Sequence, residues 1–294
     1  FFFKQKTAYE ISTRDWSSDV CSSDLLCAKL HGEVNESTYR AATLVELLHT
    51  ATLVHDDVVD DASTRRGFFS INYLWKKKVA VLVGDYLLAK GLLLATDYKE
   101  YEHLHILSVA VRQMSEGELL QIEKSRKLNL SEDIYFEIIR KKTASLLASS
   151  CAVGAFSTTS NYELTEKMRL FGETAGIAFQ IKDDLFDYGN ANIGKPKGND
   201  IQEKKLTLPL IHSLHHVDKT VARRVKYILK NKYKDTASVN FVLDTVKSTG
   251  SIEYAEKKMI EYRDQSLQLL HHFPKSAVRD ALEDLVHYLT DRTY

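Results

Sequence analysis

The feature that most constrains this chain is a pair of aspartate-rich pentads, DDVVD at residues 56–60 and DDLFD at residues 183–187. Each follows an apolar run, LVELLHTATLVH before the first and TAGIAFQIK before the second. On an α-helix, residues four apart lie on nearly the same face, so the first and last aspartates of each pentad form a pair. Adjacent carboxylates repel one another unless cations neutralise them. The fold must therefore bring positive charge to the ends of two apolar helices.

Helical periodicity extends along the chain from Leu26 onward. Apolar residues recur at spacings of three and four in residues 37–61, and further apolar or amphipathic runs cover residues 79–94, 101–123 and 165–187. Ser131 and the two acids after it are typical of a helix start. The chain has only 3 Pro and 12 Gly, and its clearest loop covers residues 189–200. These patterns predict an all-α, single-domain bundle of mostly antiparallel helices.

Composition excludes some classes of protein. The net charge is zero, so we expect no nucleic-acid partner bound through a generally basic surface. Cys21, Cys27 and Cys151 are odd in number and lack metal-binding spacing, which favours a reduced, cytoplasmic location. The most apolar stretch, residues 79–95, contains Asp85 and Lys90 and is interpreted as a buried helix rather than a membrane span. No secretory signal is evident.

The first 25 residues differ in composition from the rest and show no regular period. They resemble the conceptual translation of sequencing-adapter DNA, and a native disordered tail is the alternative. We expect residues 1–25 to be a non-native, disordered segment. Residues 26–294 would then form one domain that lacks its N-terminal helix.

The cations near the pentads indicate what the acids bind. An isolated DDxxD pentad is more often a solvated acidic helix end than a metal site. Here Arg65 and Arg66 follow the first pentad, and four lysines between residues 195 and 205 follow the second. Paired arginines suit bidentate binding of phosphate, and Mg²⁺ prefers one or two carboxylates together with substrate phosphates. The pattern therefore favours several Mg²⁺ ions that hold a phosphorylated ligand.

Longer motifs around the pentads resemble those of trans-polyprenyl diphosphate synthases. HTATLVHDDVVD with the following Arg65-Arg66-Gly67, and FQIKDDLFD at residues 179–187, resemble the two aspartate-rich motifs of that family. VGDYLLA at residues 83–89, KKTA at 141–144, GKPKGND at 194–200 and KLTLP at 205–209 also match in order. The resemblance covers essentially residue 26 to the C-terminus. It implies the isoprenoid synthase fold, in which helices surround a central cavity.

The same resemblance implies a prenyltransferase that joins isopentenyl diphosphate to an allylic diphosphate. In that reaction the allylic C–O bond ionises with the help of Mg²⁺, the alkene attacks the allylic cation, and a proton leaves. The resemblance also implies a homodimer and a loose membrane association through the lipidic product. The 189–200 loop would be a mobile lid.

Individual roles follow from the matched motifs. The residues implied as metal ligands are Asp56, Asp57, Asp60, Asp183, Asp184 and Asp187. The residues implied as catalytic are Asp56, Asp60, Arg65, Lys142 and Asp183. The residues implied to bind substrate are His49, Arg65, Arg66, Lys142, Thr143, Gln180, Lys195 and Lys205.

One motif of the family is missing. Its Gly-Lys-x-x-Arg-Pro sequence, which binds isopentenyl diphosphate, should lie just before Leu26, where the adapter-like segment stands. Each lost charge-assisted contact costs about 1.5–3 kcal/mol. We therefore expect this chain to turn over slowly and its activity to return when the native N-terminus is restored.

Two small residues bear on product length. Ala51 and Thr52 lie just before the first pentad, where short-chain members of the family often carry aromatic side chains that close the product channel. Small residues leave the channel open, so the resemblance predicts a product of about seven or eight isoprene units, as used for quinone side chains. Simple helix packing explains small residues here equally well.

Other classes of protein share parts of this pattern. A class I terpene cyclase has one DDxxD motif, but its second metal site usually mixes Asn, Ser or Thr, and Glu. An HD-type phosphohydrolase would use the His-Asp dipeptide at residues 55–56 and leave the second pentad unexplained. A di-iron bundle uses Glu-x-x-His pairs, and Glu46/His49 and Glu102/His105 have that spacing. A non-catalytic helical subunit also remains open, because the N-terminal motif is missing.

Overall fold

The computed structural model describes residues 16–59, 64–65, 68–69, 71–127, 131–188, 198–203 and 205–292. Within these ranges the chain is almost entirely helical, which confirms the all-α prediction. One π-helical turn, Arg140–Ala144, follows α5, and the strands β1 (Thr64–Arg65) and β2 (Phe68–Phe69) pair antiparallel. The helices are α1 (Trp16–His31), α2 (Glu36–Val59), α3 (Ile71–Asp97), α4 (Tyr101–Lys127), α5 (Glu132–Ile139), α6 (Ser145–Thr159), α7 (Tyr162–Phe186), α8 (Asn199–Gln202), α9 (Leu208–His216), α10 (Lys219–Asn231), α11 (Thr236–Ser248), α12 (Ser251–His271) and α13 (Ala277–Asp291).

The chain divides into two compact units. The first contains the described residues up to Arg112, together with Leu146–Gly172 and Pro274–Leu282. The second contains Gln113–Ser145, Glu173–Phe273 and the described residues from Glu283 on. Each unit therefore draws on three separate stretches of chain.

In the first unit, α2 packs against α1 and α3. Its buried side chains include Leu44, Leu48, Ala51 and Val54, which form the apolar stripe expected from the spacing in the sequence. This stripe fixes the rotation of α2 and hence the direction of its acidic end.

For residues 16–25 the structure differs from the expectation of a disordered segment, because they belong to helix α1. The chain is helical from Trp16, and Ser23 and Asp24 are fully buried. Ser23 is hydrogen-bonded to Ser150 of α6 at 3.1 Å, and the Asp24 backbone lies so close to Gly154 that a β-carbon there would overlap the Asp24 carbonyl. This helix packs against α6 through contacts that a local sequence period does not report. Residues 1–15 lie outside the described part of the chain.

The interpretation of residues 79–95 as a buried helix is wrong, because α3 is exposed over much of its surface. Small residues at helical spacing, Ala80, Gly84, Gly91 and Ala95, form its buried face, and α2 contacts both glycines. The larger apolar side chains point outward, and Leu82 is 67% exposed. Among the described residues, Lys76–Asp97 is the one helix apolar and long enough to cross a membrane, with 22% of its most apolar window buried.

The second unit has its core around α9. Leu208, Leu210 and Ile211 of this helix are buried, and α9 packs against α5, α10, α11 and α12. Ser131 begins α5 as predicted, because its hydroxyl accepts a hydrogen bond from the N–H of Ile134. Helix α5 is thereby fixed at its start and carries Tyr135 into the core.

Candidate active site

The first pentad begins in the last turn of α2, which ends at Val59. Asp57 is buried and Asp56 is half-buried, whereas Asp60 lies outside the described residues. The C-terminal end of a helix carries partial negative charge, so carboxylates are unfavourable there unless cations neutralise them. The position of the pentad on α2 therefore strengthens the case for a cation partner.

The residue before this pentad contacts α3. His55 Nε2 lies 3.4 Å from Asp85 Oδ1 and 3.2 Å from the carbonyl oxygen of Val81. A β-carbon at Gly84 would overlap the His55 ring, so glycine lets α2 and α3 approach closely. The VGDYLLA motif thus has a structural role, since its Gly84 and Asp85 hold the last turns of α2.

Three other predicted site residues lie further back on α2. His49 is 3% exposed and Ala51 is fully buried. The Thr52 hydroxyl donates a hydrogen bond to the His49 carbonyl oxygen at 2.8 Å. His49 thus belongs to the buried face of α2. Its contact with substrate stays a prediction.

The second pentad lies at the end of α7. Asp184 is buried, and both of its carboxylate oxygens accept hydrogen bonds: Oδ2 from the Tyr135 hydroxyl at 2.7 Å and Oδ1 from the Gln180 amide at 2.9 Å. Asp183 is half exposed, and its Oδ1 lies 3.5 Å from the guanidinium of Arg292. Asp187 is buried. The three aspartates therefore differ sharply in environment.

Several carboxyl groups lie close together around this pentad. Burial raises the pKa of Asp184 to about 7, although its hydrogen bonds from Tyr135 and Gln180 oppose the shift. Burial and the nearby Asp184 charge raise the pKa of Asp200 to about 8, against the attraction of Lys205. Ionising these carboxyl groups together, with no cation beside them, costs free energy. Bound cations would lower that cost.

The chemistry of this donor set fits Mg²⁺. Asp183 in the last turn of α7 and Asp187 just after that turn offer hard carboxylate oxygens, the kind of ligand that magnesium prefers. Within the described ranges, no three His, Cys, Asp or Glu side chains already converge on a metal position. A magnesium ion that keeps waters and takes further oxygens from substrate phosphates does not need such a convergence.

The π-helical turn carries Lys142 and Thr143. Lys142 forms an ion pair with Glu118, and the Thr143 hydroxyl donates to the side-chain oxygen of Gln180 at 2.8 Å. Two glycines pack closely against this turn. A β-carbon at Gly117 would lie 2.7 Å from the backbone nitrogen of Lys142, and one at Gly176 would lie 2.7 Å from Cα of Ala144. Such π-helical turns are frequently found at functional sites. Two glycines therefore allow this turn to lie between α4 and α7.

Basic residues after the second pentad are partly described. Lys205 lies 2.5 Å from Glu203 and 4.0 Å from Asp200. Lys195 and Arg66 lie outside the described residues, and Arg65 is described only by its backbone in β1. Their predicted contacts with diphosphate are therefore not tested by the structure.

Sequence reasoning did not assign a role to three residues that surround the second pentad. Tyr135 and Arg292 carry no local motif and reach the pentad from distant parts of the chain. Asp200 ends the GKPKGND motif, so its position among basic residues could have marked it. The first two could be found only from the tertiary structure.

Comparison with known proteins identifies the class of this chain. Residues 20–246 match the family model described as polyprenyl synthetase. The chain is 35% identical over 271 residues to the all-trans-nonaprenyl-diphosphate synthase of Rhodobacter capsulatus, covering 91% of this chain and 82% of that protein. It is 31% identical over 270 residues to the octaprenyl diphosphate synthase of Escherichia coli, covering 91% and 83%.

Solved structures agree with the sequence relatives. A decaprenyl diphosphate synthase from Rhodobacter capsulatus matches with a TM-score of 0.90 and 34% identity, covering 98% of this chain and 89% of that one. A polyprenyl synthase from Caulobacter crescentus, solved with calcium and isoprenyl diphosphate, matches with a TM-score of 0.88 and 33% identity, covering 98% and 88%.

This chain belongs to the polyprenyl synthetase family. It is a trans-prenyltransferase of the type that extends prenyl diphosphates, and its fold is the all-α isoprenoid synthase fold. The resemblance seen in the motifs is confirmed. The terpene cyclase, phosphohydrolase and di-iron alternatives are thereby set aside.

Proposed function

We propose that this chain condenses isopentenyl diphosphate with an allylic diphosphate in a reaction that depends on Mg²⁺. The observation that carries the proposal is the carboxylate cluster at the end of α7, where the pKa values of Asp184 and Asp200 are raised to about 7 and about 8. Bound Mg²⁺ would supply electrostatic stabilisation of the departing diphosphate. A cluster this costly without cations is suited to bind them together with a phosphorylated substrate.

The carboxylates of both pentads would hold the metal ions. Asp56 and Asp60 of the first pentad are proposed as ligands, with Asp57 in support. Asp183 and Asp187 are proposed as ligands in the second. Asp184 has both oxygens engaged by Tyr135 and Gln180, which supports a role behind the ligands.

Cationic and polar side chains would bind the two diphosphates. Lys142 and Lys205 already lie among carboxylates, at Glu118 and Glu203, and are proposed to turn to a diphosphate when it binds. Lys195, Arg65 and Arg66 would add charge, by resemblance to the family. Thr143, Gln180 and His49 complete the proposed substrate contacts.

The proposed product is a long all-trans polyprenyl diphosphate of about seven or eight isoprene units, suited to quinone side chains. The small side chains of Ala51, which is fully buried, and of the half-buried Thr52 are the basis of this proposal, by resemblance to the family. Relatives carry names for a similar range of chain lengths, including the Escherichia coli octaprenyl diphosphate synthase and the heptaprenyl diphosphate synthase component 2 of Geobacillus stearothermophilus.

A homodimer is proposed from the exposed apolar face of α3. Leu82, Tyr86, Leu92 and Leu93 are each at least half exposed on this helix. Exposed apolar patches of this kind often mark protein–protein interfaces. A second copy of the chain would cover the face symmetrically, as most oligomers do.

We also propose that the enzyme works in the cytoplasm with no nucleic-acid partner and associates loosely with membrane through its lipidic product. The zero net charge and the buried thiols Cys27 and Cys151 support this proposal. The apolar face of α3 is assigned to the dimer rather than to a membrane span, because its helix also carries Asp85 and Lys90.

The function is tested by pyrophosphate release. The chain is incubated with isopentenyl diphosphate, farnesyl diphosphate and Mg²⁺, and the dephosphorylated products are separated by chromatography. Release should require both substrates and the metal, and Asp183→Asn should lower the rate about 10²- to 10³-fold. Asp264→Asn is the matched control, because Asp264 is an exposed aspartate of the same unit that pairs with Arg263.

Two results would overturn the proposal. Release from the allylic substrate alone would indicate a cyclase or hydrolase. Full activity without any divalent cation would remove the assigned role of the pentads.

A further inference from the structure

The carboxylate of Asp184 is held from two sides by neutral donors. It is 7% exposed, with the Tyr135 hydroxyl at 2.7 Å from Oδ2 and the Gln180 amide at 2.9 Å from Oδ1. A buried carboxylate needs such donors, and each fixes its direction. Asp184 of α7 is therefore held in a set orientation by one donor from α5 and one from its own helix.

The Gln180 amide has a defined orientation as well. Its oxygen accepts a hydrogen bond from the Thr143 hydroxyl at 2.8 Å, so its NH₂ group points to Asp184. The result is a chain of hydrogen bonds that runs from Thr143 through Gln180 to Asp184. It links the π-helical turn to the last turns of α7.

Tyr135 closes this chain from the opposite side. Its side chain is 3% exposed, and its ring makes an edge-on contact with Phe136 at 5.4 Å between centroids. The side chain belongs to the core of the second unit, and the Ser131 cap fixes the start of its helix. Its hydroxyl is thus held by rigid surroundings, as an effective orienting group must be.

We infer that Tyr135 is a positioning residue for metal binding: through Asp184 it holds the end of α7, and so it positions Asp183 in the last turn and Asp187 just after it to bind the metal. Partners behind metal ligands commonly act in this way, and their loss typically weakens metal affinity about 10- to 100-fold. The inference rests on the proposed function only in its choice of metal and ligands. No local motif marks Tyr135, since its link to the pentad is purely tertiary.

The test compares Tyr135→Phe with Tyr254→Phe. Tyr254 lies in the same unit and also donates its hydroxyl to a carboxylate, Glu132 at 2.6 Å, so its variant loses the same kind of bond away from the pentad. The probe is Mn²⁺ binding in the presence of inorganic pyrophosphate, followed by electron paramagnetic resonance. Tyr135→Phe should weaken Mn²⁺ binding about tenfold, and Tyr254→Phe should leave it unchanged.

Enzyme kinetics provides the second readout. The Mg²⁺ concentration for half-maximal rate should rise about tenfold in Tyr135→Phe, while kcat at saturating Mg²⁺ changes less than about threefold. A purely structural role would lower the melting temperature of the metal-free protein and leave both metal dependences unmoved. That outcome would overturn the inference.

A double-mutant cycle with Asp184→Asn keeps the inference testable if Tyr135→Phe folds poorly alone. Because Tyr135 acts through Asp184, the double variant should bind Mn²⁺ no more weakly than Asp184→Asn does. Additive losses would contradict the inference. If wild-type protein binds Mn²⁺ with pyrophosphate but fails to join the two substrates, the proposed reaction falls while the role of Tyr135 stands.

Discussion

Arg292 and Asp183 form an ion pair that joins the end of α13 to the second acidic pentad, with 3.5 Å between Nη2 and Oδ1. The guanidinium also lies over the rings of Phe179 and Phe186 on α7, at 4.3 and 5.2 Å from their centroids. A residue from the far end of the chain therefore already neutralises part of the charge on a proposed metal ligand. Arg292 and a divalent cation would compete for the same carboxylate.

This competition predicts the behaviour of Arg292→Met. Asp183 is 52% exposed, and such pairs contribute about 0–1 kcal/mol, so the Mg²⁺ concentration for half-maximal rate should fall by up to about fivefold. A magnesium titration of the initial rate measures the shift. Arg263→Met is the control, because Arg263 pairs with Asp264 and Asp291 instead. A higher magnesium requirement would instead make Arg292 a helper of metal or substrate binding.

Asp24 predicts an unusual dependence of stability on pH. Burial raises the pKa of Asp24 well above the usual value, and the nearby backbone N–H of Leu25 partly opposes that shift. Neither carboxylate oxygen of Asp24 has a hydrogen-bond partner of ordinary geometry. Because the folded pKa is raised, its contribution to stability is fully present below the unfolded pKa of about 3.9 and is lost as pH rises through the folded pKa. Asp24→Ala should therefore raise the free energy of unfolding at pH 8 by about 1–2 kcal/mol, with a smaller gain at pH 5.

Denaturant unfolding at the two pH values measures this effect. Asp235→Ala is the control with the opposite sign, since hydrogen bonds from Ser238 lower the pKa of Asp235 at the start of α11. That variant should lose stability at pH 8. If Asp24→Ala were destabilising at pH 8, the buried carboxylate would have a partner that offsets its burial.

Product length should respond to Ala51. Ala51→Phe places an aromatic ring just before the first pentad and should shorten the main product by at least one isoprene unit. The measurement is chromatography of the dephosphorylated products. Ala41→Phe is the matched control: Ala41 is equally buried on α2, so it carries the same overpacking cost of about 1–3 kcal/mol without lying near the pentad. An unchanged product distribution in Ala51→Phe would leave Ala51 as a packing residue only.

Oligomeric state should depend on the exposed face of α3. Leu82→Glu places a charge on the proposed interface, at its most exposed residue, and should shift the protein from dimer to monomer in light scattering coupled to gel filtration. Leu119→Glu is the control, because Leu119 of α4 is 68% exposed, matching the 67% of Leu82. A dimer that survives Leu82→Glu would place the interface elsewhere.

The sequence by itself determined the helical fold and the ends of the two helices that carry acids. Apolar spacing placed α2 and α7, and the pentads fall in their last turns, because amphipathic period is a local property. The Ser131 cap at the start of α5 is local in the same sense. The motifs also identified the family, since each occupies a short continuous stretch.

The tertiary structure decided what surrounds the acids. Tyr135 and Arg292 meet Asp184 and Asp183 only because distant helices pack together, and no local pattern encodes such contacts. The same reason explains the two corrected expectations. Helix α1 is stabilised by its contacts with α6. Helix α3 packs its small residues against α2, and its large apolar residues therefore remain exposed. Periodicity predicts that a helix forms, whereas the partner of each face depends on how the whole chain packs.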